Sequence, residues 1–192
     1  MSTHAHASHF LVRHHEIALK GKNRPQFEQR LKRNIESVLG LSGVIVVNSN
    51  RYLIDIAAAK SKGVSAQEIS RWPTRIAALG GVAGVSPCAL LKKLTPANAH
   101  EIQNSAALWF CESLNTNSST IKSFGIRTRR TDKSITLDSH AIDTQVGEQI
   151  KLRFPTLTVN LKKPDFRLNI ELREKCTIIY SDEVAGERGL PL

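Results

Sequence analysis

The stretch Pro25-Gln-Phe-Glu-Gln-Arg-Leu-Lys-Arg-Asn-Ile-Glu-Ser-Val-Leu39 decides how the first half of this chain folds. Phe27, Leu31, Ile35, Val38 and Leu39 recur at three- to four-residue spacing, the period of one helix face. Pro25 suits the first helical turn, where a missing N–H breaks no bond, and Gly40 and Gly43 stop the helix. Upstream, residues 9–13 and 16–19 are short apolar stretches that read as a strand entering the basic turn Lys20-Gly21-Lys22-Asn23-Arg24. Downstream, the β-branched run Val44 to Val47, the turn Asn48-Ser49-Asn50 and the run Tyr52 to Ile56 spell a hairpin. Ser65-Ala-Gln-Glu68 has capping-box spacing and opens a second helix, which Pro73 interrupts or kinks and Gly80-Gly81 ends. A further strand is expected within 82–92.

The order β-α-β-β-α followed by a strand is that of a ferredoxin-like split βαβ unit. A second unit begins near Thr95-Pro96. Its first helix is expected over about 96–114, with Ile102, Ala106, Trp109, Phe110 and Leu114 inward. Ile121 to Arg130 reads as a strand, and Asp138 or Ser139 caps a helix carrying Ile142, Val146 and Ile150. Strand candidates follow at Leu157–Leu161, Phe166–Leu172 and Cys176–Ser181. Helices and strands mix in both halves, so the class is α+β or α/β.

The 192 residues hold 27 Lys and Arg against 17 acidic residues, a net charge of +10 that favours a polyanionic partner over a neutral one. No apolar run approaches the ~18–20 residues of a membrane span, and the His- and Ala-rich start lacks the apolar core of a secretory signal. An intracellular, cytoplasmic protein with no membrane partner is expected. Cys88, Cys111 and Cys176 form no CxxC pair, so neither a zinc site nor a dithiol is suggested. Cys111 and Cys176 read as small buried hydrophobes. His4, His6, His9, His14 and His15 crowd the start without a second ligand cluster, so no metal is expected. There is no phosphate-binding glycine loop, no HExxH, no GxSxG and no paired-carboxylate signature, so no catalytic residue is assigned.

The cations gather in three places. Lys20, Lys22, Arg24, Arg30, Lys32 and Arg33 lie on and before the first helix. Lys122, Arg127, Arg129, Arg130 and Lys133 follow a strand and its turn. Lys151, Arg153, Lys162 and Lys163 sit near a helix end and in a loop. In the second group Phe124, Ile126 and Thr128 alternate with Gly125, Arg127 and Arg129. Period two therefore sends both arginines to one sheet face, opposite the apolar side chains. Guanidinium groups so arranged grip phosphate oxygens bidentately. The competing reading is a solvated, merely solubilising face. It suits Lys32 and Arg33 better than 127–133, where four of seven residues are cationic.

The segment Glu16-Ile-Ala-Leu-Lys-Gly-Lys-Asn-Arg24 closely resembles the N-terminal signature of tRNA 4-thiouridine synthetases, the tRNA sulfurtransferases. Gly84-Val-Ser-Pro87, Arg127-Thr-Arg-Arg-Thr-Asp-Lys-Ser134, Val146-Gly147, Lys163-Pro-Asp165, Leu168-Asn-Ile-Glu-Leu172 and Gly189-Leu-Pro191 resemble further family segments in the same order, over roughly residues 10–192. Two places depart from the family pattern. His14-His15 stand where it has Tyr-Gly, and the final segment reads Arg188-Gly-Leu-Pro-Leu192 where Gly-Gly-Leu-Pro-Val is common.

The resemblance implies a ferredoxin-like domain over about 8–75, a THUMP RNA-binding domain over about 76–184, and at 185–192 the start of a linker to a PP-loop domain. It implies that the first two domains grip the tRNA acceptor stem and 3′ end while an ATP-dependent PP-loop domain, in cis or in trans, thiolates uridine 8. The SGGxDS-type motif of that domain is not in this sequence, so ATP is expected only with the PP-loop domain and no cofactor with this chain. The family's catalytic cysteines lie outside the span that this sequence resembles, so none of Cys88, Cys111 and Cys176 inherits that role, and a link to thiamine thiazole synthesis is often part of the family's role. A homodimer is compatible with a grip that needs domains from two chains. The residues expected at RNA are Arg127, Arg129, Arg130 and Lys133, supported by Lys20, Lys22 and Arg24, with Lys162 and Lys163 as a third group. The alternatives are a self-contained THUMP module or adaptor serving a different RNA-modifying enzyme, or a sheet that faces a protein or membrane. Aromatic residues are 5% of the chain, which argues against an extended base-stacking platform.

Overall fold

The computed structural model describes residues 7–14, 23–48, 51–117, 121–131, 138–181 and 184–188. Two compact units emerge: Ala7–Cys88 with Asp182–Leu192, and Ala89–Ser181.

In the first unit β1 (His9–His14) leads to α1 (Arg24–Leu39), the hairpin β2 (Ile45–Asn48) and β3 (Arg51–Asp55), α2 (Ile56–Ser61), α3 (Ala66–Ala77) and β4 (Val82–Lys92). The sheet order is β2-β3-β1-β4 with antiparallel neighbours throughout, so β3 splits β1 from β2 as the ferredoxin-like order requires. α1 buries Leu31, Ile35 and Leu39 and stops at Gly40, whose φ of 61° lets its N–H turn back to Glu36 and Ser37 carbonyls. Ser65 caps α3 by accepting the Glu68 N–H. Phe10, Val12, Tyr52 and Ile54 meet these helices around Trp72 and Ile76.

Of the two readings of Pro73, interruption and kink, the first fails: α3 runs through it to Ala77, and the ring is buried on the core side, where its apolar contact offsets the hydrogen bond it cannot donate. β3 ends at Asp55, not Ile56, because the Asp55 carboxylate accepts the Ala58 N–H and starts the short helix α2.

In the second unit the 3-10 turn Pro96–Asn98 enters α4 (Ala99–Asn117), followed by β5 (Ser123–Arg130), α5 (Ser139–Arg153), β6 (Thr158–Val159), β7 (Phe166–Leu172) and β8 (Cys176–Tyr180). Within this unit the strand order is β8-β7-β5-β6. β5 is parallel to both β6 and β7, while β7 and β8 form an antiparallel hairpin. A two-residue strand, β9 (Val184–Ala185), belongs to the first unit, where it pairs with Gly84 and Val85 of β4. Phe110 of α4 lies 5.3 Å from Phe124 and 5.0 Å from Phe166, ring centre to ring centre. Ile142, Val146 and Ile150 bury the facing side of α5. Among the described residues no helix is long and apolar enough to cross a membrane.

Candidate nucleic-acid interface

Strand β5 has two unlike faces. Phe124 and Ile126 are buried under the helices, alongside Phe166, Leu168 and Ile170 of β7. Gly125, Arg127 and Arg129 take the opposite face, next in register to Arg167, Asn169 and Glu171. Both Arg127 and Arg129 are exposed. Among the described residues neither has a hydrogen bond or ion pair.

β5 is paired by β6 only at Ser123 and Phe124, so its far end is an edge. The Thr128 N–H on that edge is satisfied from α5, where Asp143 Oδ1 accepts it at 3.0 Å. Burial raises the Asp143 carboxyl above its ordinary range, against the lowering effect of the Thr128 bonds.

The loop between β6 and β7 folds over the arginine face at Gly125. A Cβ there would stand 2.7 Å from the Asn160 carbonyl oxygen and 3.1 Å from Pro164 Cγ, so only glycine admits the loop. This places Lys162 and Lys163, both exposed, on the side of Arg127 and Arg129. Their backbone N–H groups both donate to Asn160 Oδ1, and the Arg167 guanidinium donates to the Leu161 and Lys162 carbonyls. The loop is therefore held while the two ammonium groups stay outward. Asp165 ties it to the start of β5 by accepting from the Lys122 and Ser123 N–H groups and the Ser123 hydroxyl; these bonds hold its carboxyl below the ordinary range.

The other expected residues are placed differently. Arg130 falls on the alternate face of β5, 4.0 Å from Asp138. Arg24 belongs to the first unit, where its Nε donates to Glu28 Oε1 at 2.7 Å. Lys20, Lys22 and Lys133 lie outside the described residues. Lys151 is a helix-end staple, donating to the Pro155 and Leu157 carbonyls. Cys88 and Cys176 are buried but Cys111 is only half-buried, with Arg153 Nη1 at 3.4 Å from its sulfur. Among the described residues no group of three His, Cys, Asp or Glu could hold a metal ion. Arg167 stands outside the three charge clusters of the sequence. Its signal was period two in β7, which puts Arg167 on the face of Arg127 and Arg129.

Comparison with known proteins agrees with this architecture. Residues 9–71 match the model of the ThiI ferredoxin-like domain and residues 96–182 that of the THUMP domain. A probable tRNA sulfurtransferase of Streptococcus gordonii is 30% identical over 187 residues, 97% of this chain and 43% of that protein. One of Staphylococcus aureus is 29% identical over 96% of this chain and 42% of its own length. A solved 4-thiouridine synthetase–RNA complex with bound ATP superposes with a TM-score of 0.74 at 27% identity, covering 96% of this chain and 43% of that one. The chain thus spans less than half the length of these relatives. It carries a ThiI-type ferredoxin-like domain followed by a THUMP domain, over a span that it shares with the tRNA sulfurtransferases.

Proposed function

We propose that this chain is the tRNA-binding region of a tRNA 4-thiouridine synthetase, holding the acceptor stem and 3′ end while an ATP-dependent PP-loop domain, in cis or in trans, thiolates uridine 8. The observation that carries the reading is the pair Arg127 and Arg129, exposed and unpaired among the described residues on one face of the THUMP domain. Lys162 and Lys163 reinforce it from the adjoining loop. Buried charge partners would have spent these cations on the fold; here they are left for phosphate oxygens. The relatives named tRNA sulfurtransferases and the solved synthetase that holds RNA support the choice of ligand.

The test is titration of fluorescent tRNA, with and without its single-stranded 3′ end, at two salt concentrations. Salt-sensitive binding that weakens without the 3′ end is expected. Arg127→Glu and Arg129→Glu should each weaken binding on the order of tenfold and flatten the salt dependence by about one contact. Binding of intact tRNA no better than an unrelated acidic polymer would end this reading.

A further inference from the structure

Glu171 is the acidic residue in register with Arg129 on the same sheet face. It is 1% exposed. An unengaged carboxylate beside an exposed guanidinium would capture it and cancel its charge. Glu171 is not unengaged. Arg173 Nη1, just past the end of β7 and also buried, donates to Oε2 at 2.8 Å. The Tyr180 hydroxyl of β8 donates to Oε1 at 3.1 Å. Each carboxylate oxygen thereby accepts a hydrogen bond from a group outside β5.

We propose that Arg173 and Tyr180 are positioning residues for the RNA interface. By clamping Glu171 they keep Arg129 unpaired for a phosphate. The inference rests on the proposed RNA-binding reading. It assigns a purpose to a buried charge pair, a kind of contact that well-packed apolar residues often replace without loss of stability.

The experiment is tRNA titration of the whole chain across a salt series, with R173M, R173M/E171Q, R129Q, R129Q/R173M and Y180F. In R173M the freed Glu171 recruits Arg129, and the slope of log K against log salt becomes shallower by about 0.7–0.9, one phosphate contact. R173M/E171Q recovers the wild-type slope, because no carboxylate remains to capture Arg129. R129Q/R173M binds no more weakly than R129Q, since the two changes remove the same contact. An unchanged slope in R173M, no recovery in R173M/E171Q, or additive losses in R129Q/R173M overturns the proposal. Should R173M fail to fold, Y180F decides alone: a shallower slope supports the clamp and a wild-type slope overturns it. If R127E and R129E leave tRNA binding unchanged, the interface itself is wrong. If they weaken it while the Arg173 variants show no coupling, only the clamp is.

Discussion

His14 carries its ring into the first unit with 1% of the side chain exposed, and neither ring nitrogen finds a hydrogen-bond partner among the described residues. Its Nε2 lies 3.9 Å from Glu28 Oε1, and its ring meets Tyr52 edge-on at 5.7 Å. Burial lowers the imidazole below its ordinary value; Glu28 opposes this, while Arg51 and Arg24 add to it. A histidine whose folded value is lowered is protonated first in the unfolded chain. Stability is therefore unaffected above the ordinary histidine value and falls as pH drops from there toward the folded value. His14→Phe should remove that acid-sensitive component, so its urea midpoint should fall less between pH 7 and pH 5 than the wild type's. An equal fall in both would contradict the assignment. The sequence places His14 just past the apolar stretch 9–13, in a His-rich end, whereas the structure makes it the last, buried residue of β1. Its isolation from partners was not legible, because that depends on α1 bringing Glu28 no closer.

At the scale of elements, β5 and the loop after β6 make the proposed interface. Period two in 124–129 was enough to put Arg127 and Arg129 on one face, since alternation follows from backbone geometry alone. Arg130 shows where grouping by sequence proximity fails: one further residue turns it to the other face, near Asp138. Lys162 and Lys163 joined the arginine side only because the loop crosses at Gly125. Gly125→Ala should force the Asn160 carbonyl and Pro164 away and cost about 1–3 kcal/mol, as overpacking typically does. Chemical denaturation measures this, and the displaced loop should also weaken tRNA binding. A stability equal to wild type would mean that the loop does not seat as described.

At the scale of the whole molecule, the +10 net charge becomes informative through its distribution. Arg24 and Lys151 are engaged within the fold, whereas Arg127, Arg129, Lys162 and Lys163 face outward. Four phosphate contacts would give a slope of log K against log salt of about −3. The wild-type titration should reach at least this value, and anionic vesicles should compete poorly. A slope near −1 would mean that the cluster does not act together.

The sequence by itself determined the two α+β units, the helix and strand types, the face of Arg127 and Arg129, and the family resemblance. Each rests on local periodicity, turn chemistry or an ordered set of short segments. Tertiary structure decided the rest, above all the parallel pairing that sets Glu171 beside Arg129. It also decided which cations are consumed by the fold and which remain. That parallel pairing joins residues 42 positions apart, as between Phe124 and Phe166, where no local pattern reports the partner.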